Sequence, residues 1–160
     1  MVEPISIFAR ASAESDTREL GDRGEALAAE FLIASGYRIV MQNFTVPVGR
    51  NTRGATVTGE IDIIALDKDV LCFVEVKTRT SDALYDPSAA VTLRKQRQII
   101  RTARVYRRIF RTTNLEYRYD VVSVVLSPGS RPKIALSKEF WTESKFRKRN
   151  WFAEAWHDHY

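Results

Sequence analysis

The chain has 160 residues, 44% of them hydrophobic, and a formal net charge of +5. That is enough for one domain whose core needs no disulfide or metal to hold it, and the single cysteine, Cys72, excludes an intrachain disulfide and fits a reducing compartment. No apolar run is long enough to span a membrane, and "MVEPISIFARASAES" lacks the basic start and long apolar stretch of a secretory signal, so a cytoplasmic protein without membrane contact is expected.

Residues 1–17 read as a loose arm, rich in Ala, Ser and charge. The domain proper is expected over residues 18–140, and residues 141–160 as an aromatic and basic tail. "RELGDRGEALAAEFLIASGY" reads as a helix, with Leu20, Leu27, Ala28, Phe31 and Ala34 at helical spacing and Gly36 as its stop. "YRIVMQNFTV" alternates like a strand, and "PVGRNTRGATVT" reads as a loop or a long hairpin end. Two strands follow at about 59–66 and 70–78, turning at "DKD". A long helix is expected after Pro87, capped by Asp86 or Ser88. "EYRYDVVSVVLS" is a strand, and "PKIALS" a short edge strand. The order helix, three strands, helix, two strands predicts an α/β fold with a mixed sheet flanked by helices.

The stretch "GEIDIIALDKDVLCFVEVKTR" places Glu60, Asp62, Glu75 and Lys77 on two apolar strands. Alternation puts Glu60 and Asp62 on one face with Ile64, and Ile61, Ile63 and Ala65 on the other. Phe73, Glu75 and Lys77 share a face, opposite Cys72, Val74 and Val76. An antiparallel turn then brings Asp62 near Glu75. Two neighbouring carboxylates on apolar strands repel each other and pay for desolvation. A hard divalent cation, Mg²⁺ or Mn²⁺, held by Asp62 and Glu75, would offset both and suits phosphodiester hydrolysis. Lys77 would then position the attacking water or stabilise the transition state. The plainer alternative pairs the carboxylates with Lys77, Arg79 or Arg53.

Asp62 followed by Glu75-Val76-Lys77 resembles the D…(D/E)-x-K signature of the PD-(D/E)xK nuclease superfamily. The wider pattern "GDRGEALAAEFLIASGYRIVMQNF", "GEIDIIALDKDVLCFVEVKTR", "VTLRKQRQIIRTARVYRR" and "YRYDVVSV" resembles the YraN-like group of endonuclease-like bacterial proteins within it. The resemblance implies a restriction-endonuclease-like sheet and a Mg²⁺- or Mn²⁺-dependent nuclease acting on DNA, branched DNA included. Through relatives like Holliday-junction resolvases it also implies a homodimer and a further site residue, Glu25, on the first helix. The segment between Asn43 and Gly59 departs from the pattern by its length.

From Arg94 to Arg111 the second helix carries eight basic residues and no acid. Arg94, Arg97, Arg101, Arg104 and Arg108 step by three and four, forming one stripe suited to nucleic-acid phosphates. The alternatives to a nuclease are a fold that grips nucleic acid without cutting it, and an adaptor docked through its tail. Gln96 is a weaker candidate for the site. Trp141, Trp151, Trp156, Phe146 and Phe152 suit base stacking or core packing, Asp120 suits pairing with Arg118, and His157 and His159 read as incidental.

Overall fold

The computed structural model describes residues 5–80 and 91–146, with side chains from Asp16 onward. Helix α1 spans Ile5–Ala34, so residues 5–17, read from the sequence as a loose arm, are helical. It ends in Gly36, whose φ of 88° suits glycine. There the amides of Gly36 and Tyr37 reach back to the carbonyls of Ile33 and Leu32, closing the helix end. Strands β1 (Arg38–Arg50), β2 (Thr56–Asp67) and β3 (Val70–Arg79) follow, then helix α2 (Leu93–Ile109), β4 (Tyr117–Val125) and β5 (Lys133–Trp141).

The strands form one sheet in the order β1-β2-β3-β4-β5. Pairing is antiparallel except between β3 and β4, which run parallel with α2 as the crossover. This is the expected mixed α/β arrangement. The "PVGRNTRGATVT" segment is the far end of a long hairpin, with Arg50 paired to Thr56. Asn43 and Glu139 adopt left-handed backbone on the two outermost strands, with φ of 53° and 52°, and β1 also shifts register at Ile39/Met41 and Pro47/Gly49.

The two sheet faces hold two cores. On one, α1 lays Ala28, Ala29 and Leu32 over Ile63, Ala65, Cys72, Val74, Val76, Val122 and Val124. On the other, α2 lays Ile99, Ile100, Ala103 and Tyr106 over Ile61, Ile64, Phe73, Tyr119, Val121 and Trp141. Two close approaches set how the helices sit. A Cβ on Gly24 would overlap the Thr78 side chain, and one on Gly59 would overlap Thr102; glycine lets α1 touch β3 and α2 touch β2.

Helix α2 begins later than the sequence suggested. Thr92 is its N-cap, its hydroxyl accepting from the Lys95 amide at 3.2 Å. Asp86, Pro87 and Ser88 lie outside the described residues.

The start of the tail belongs to the domain. Trp141 ends β5, is 3% exposed and stacks on Tyr119 with ring centroids 5.2 Å apart. A 3₁₀ turn, Glu143–Phe146, follows, and Phe146 packs against the same core. A chain ended after Phe140 is therefore expected to lose its cooperative melt. Trp141→Ala in the full chain is expected to cost about 3–5 kcal/mol, measured by denaturant unfolding. A truncated chain with the parent's melting temperature would contradict this packing.

Candidate active site

The site forms where β2 and β3 part. Their ladder runs from Asp67–Val70 to Ile63–Val74 and ends there. The next β3 amide in need of an acceptor is that of Val76. It is taken by the side chain of Asp62, with Val76 N to Asp62 Oδ2 at 2.7 Å. A carboxylate thus replaces a backbone carbonyl at the fork.

The fork also corrects the expected alternation. Ile61 packs under α2 while Ile63 packs under α1, so β2 changes face across Asp62 and Ile61 does not share a face with Ile63. On β3 the alternation holds: Phe73 faces α2, and Cys72, Val74 and Val76 face α1.

Glu75 is 2% exposed. Its Oε1 pairs with Lys77 Nζ at 2.7 Å and its Oε2 with Lys95 Nζ at 3.3 Å. The second is a charge contact, for Oε2 is buried without a hydrogen bond. Asp62 lies within electrostatic reach of Glu75, Lys95 and Glu25; burial first and the Glu75 charge second push its carboxyl up to about 7. Glu25, half-buried on α1, is also pushed up by burial, against a hydrogen bond from Asn43 that favours its charged form. Burial pulls Lys95 down, but the charges of Glu75 and Asp62 outweigh it and hold the ammonium above its ordinary range.

The structure therefore brings Glu25, Asp62, Glu75 and Lys77 together at the fork. Arg53, offered as an alternative partner for the carboxylates, sits at the exposed hairpin end, bonded within its own turn. Two contributors were missed. Asn43 needed the three-dimensional bend of β1. Lys95 had a signal: it stands four, seven and eleven residues before Ile99, Thr102 and Tyr106, all buried, so it shares the sheet-facing side of α2 rather than the arginine stripe. Gln96 is buried, its Nε2 donating to the Val91 carbonyl at 2.9 Å, and its Oε1 has no partner among the described residues.

Arg94, Arg97, Arg101, Arg104 and Arg108 share the exposed side of α2. Two are engaged: Arg104 pairs with Glu143 at 2.5 Å and Arg97 lies 5.3 Å over the Phe146 ring. Asp120 does pair with Arg118, Nε to Oδ2 at 2.9 Å. Trp151, Phe152, Trp156, His157 and His159 lie outside the described residues.

A hard cation takes oxygen ligands and often only one or two protein carboxylates, the rest being water. The buried Asp62 and Glu75 pair fits that donor set, with Glu75 Oε2 facing only the Lys95 ammonium, at 3.3 Å, among the described residues. Among the described residues no group of three His, Cys, Asp or Glu side chains stands ready to enclose a metal ion.

Fold and site together define an α/β domain with a carboxylate and lysine cluster at a strand fork. Residues 24–124 match the uncharacterised protein family UPF0102, and the chain belongs to that family, the YraN-like group whose motifs it resembles. A UPF0102 protein of Chlorobaculum parvum is 46% identical over 106 residues, 66% of this chain and 74% of its own. One of Symbiobacterium thermophilum is 43% identical over 120 residues, 75% and 93% of the two chains. One of Chlorobium limicola is 41% identical over 121 residues, 76% and 86%. The crystal structure of SSO0001 overlaps 86% of this chain and 65% of its own at 17% identity and a TM-score of 0.35, too loose a superposition to show a shared fold. No described helix is long and apolar enough to cross a membrane.

The raised Asp62 carboxyl makes stability depend on pH. Its ordinary value is 3.8, and in the folded chain it is about 7. Between those values the folded chain keeps a proton that the unfolded chain has released. Stability is then greatest in acid, falls as pH rises toward 7, and levels off above. Between pH 5 and 8 this group should remove about 2–3 kcal/mol. Asp62→Asn keeps an acceptor for the Val76 amide and should abolish most of that decline. Urea unfolding of both proteins at pH 5 and pH 8 measures it; parallel pH profiles would show that Asp62 ionises normally.

Proposed function

We propose that the chain is a nuclease that uses Mg²⁺ or Mn²⁺ to hydrolyse DNA, with branched DNA among its substrates. The observation that carries this reading is the buried Asp62 and Glu75 pair at the fork, with Lys77 bonded to Glu75 at 2.7 Å. Burying two adjacent carboxylates costs stability unless a cation joins them. Asp62 and Glu75 would hold the ion, and Glu25 would reach it directly or through water. When bound, the ion would neutralise charge on the phosphate and acidify a water.

Lys77 would hold the attacking water or the phosphate oxygens. It is a third exposed, so it can swing from Glu75 toward a substrate. Lys95 would keep Glu75 in place from the opposite side. The stripe of α2 would grip phosphates along the strand.

A second reading, a nucleic-acid-binding protein of this fold that does not cut, is favoured by one observation. Both carboxylate oxygens of Glu75 already face an ammonium group, so the charge balance at the fork is partly met by the chain itself.

Linear, nicked, single-stranded and branched DNA, each with Mg²⁺, Mn²⁺ or EDTA, separate the two. Cleavage is expected with either metal and not with EDTA. Lys77→Met should lower it about 100-fold or more while DNA binding in Ca²⁺ survives. Binding without cleavage of any of these substrates would leave the second reading.

The stripe has its own test. Arg94, Arg101 and Arg108 are exposed and have no ion pair among the described residues. Reversing all three to Glu should weaken DNA binding for every sequence alike. It should also flatten the salt dependence, by roughly 0.9 in log–log slope per lost phosphate contact. Unchanged affinity and slope would remove α2 from the interface.

A further inference from the structure

The β1–β2 hairpin continues past the fork. Gly49 pairs with Val57 and Arg50 with Thr56, beyond the last β2–β3 pair, Ile63–Val74. Residues Thr56–Asp62 of β2 thus extend about 20 Å beyond the shared sheet, at roughly 3.3 Å per residue. The base of this ribbon is tied to α2. Gln98 Nε2 donates to the Thr58 carbonyl at 2.7 Å, and Gly59 lies against Thr102.

The outer end, residues 49–56, is exposed throughout, yet its turn is ordered by its own bonds. Asn51 Oδ1 accepts from the amides of Arg53 and Ala55, both at 2.9 Å. Arg50 Nη1 donates to the Gly54 carbonyl at 2.9 Å, and Gly54 takes a φ of 78°, which only glycine adopts freely. From Phe44 to Gly59 there is no Asp or Glu, and the outer half carries Arg50, Thr52, Arg53, Thr56 and Thr58. The ribbon is therefore stiff, cationic and rich in hydrogen-bond donors, and it begins at the residue that opens the active site.

We propose that this ribbon is an arm that enters the groove of a nucleic-acid duplex beside the phosphate held at the fork. The proposal rests on the reading of the chain as a protein that acts on DNA, and adds the part that recognises the double helix. The major groove is about 12 Å wide and admits a two-stranded β-ribbon. The outer part of the ribbon, from Phe44 to Gly59, holds no acid and meets no repulsion from the phosphates on either wall. Its Arg53 guanidinium, not engaged in an ion pair among the described residues, is placed to meet a base edge or a groove phosphate. A single strand offers no groove, so the arm should matter only for duplexes.

The test measures binding of one sequence as duplex and as single strand, by fluorescence anisotropy in Ca²⁺. The proteins are the parent, Arg53→Glu, Arg101→Glu on α2, and a chain in which Asn51–Ala55 is replaced by Asn-Gly. The two arm variants should lose about tenfold or more in duplex affinity and less than twofold for the single strand. Arg101→Glu should weaken both. Equal losses on both substrates, or no loss, in Arg53→Glu overturn the arm. Since Arg53 is at an exposed tip, that variant decides the matter even if the shortened hairpin fails to fold. A parent that binds neither substrate overturns the DNA reading along with the arm; a parent that binds duplex as tightly as its arm variants overturns the arm alone.

Discussion

The hydrogen bond from the Val76 amide to the Asp62 carboxylate is the constraint on which the site depends. Two antiparallel strands cannot part inside a core unless something replaces the lost ladder bonds, because a buried amide without an acceptor costs about 1–3 kcal/mol. Asp62 supplies the acceptor at 2.7 Å. The same atom group is thereby held in the fork, facing Glu75, and β2 is free to turn outward into the hairpin. Gly24 completes the arrangement from the other side. By letting α1 close on Thr78, it brings the next residue, Glu25, within electrostatic reach of the fork.

The chain buries another carboxylate very differently. Asp120 is fully buried, and it is satisfied: Arg118 Nε reaches both oxygens at 3.0 and 2.9 Å, and the Glu139 amide donates at 2.8 Å. Arg118 also joins Asp67 and Tyr37. There the protein spends a guanidinium to close a polar network. At the fork, Glu75 meets two ammonium groups, Lys77 at 2.7 Å and Lys95 at 3.3 Å, and burial with the Glu75 charge pushes the Asp62 carboxyl up to about 7. The buried acids thus differ in their partners: a guanidinium and an amide hold Asp120, while one amide and two ammonium groups serve Asp62 and Glu75.

Much of this was legible in the sequence because side-chain period carries it. The order of helices and strands, the turn at Asp67–Asp69 and the meeting of Asp62 with Glu75 follow from alternation and turn chemistry. Glu25 came from resemblance, since a residue on a distant helix has no local signature. What escaped has physical causes. The change of face between Ile61 and Ile63 arises where the strands fork, which no alternation rule contains. The role of Trp141 was hidden because its partner Tyr119 lies on another strand and the tail lacks a period. Lys95 is one of the eight basic residues from Arg94 to Arg111, and its spacing to Ile99, Thr102 and Tyr106 places it on the buried side.

The sheet's outer strands have a bearing on how this chain keeps company with itself in a crowded cell. Open edges offer unpaired amides and carbonyls, and flat ones recruit other strands into aggregates. Here β1 is broken by two register shifts, by Pro47 and by the left-handed Asn43. On the opposite side β5 is interrupted at Glu139 and carries Lys133 and Lys138. Neither presents a long regular template, so the irregularity at Asn43, which sets that side chain against Glu25, also guards the polypeptide against stacking into fibres.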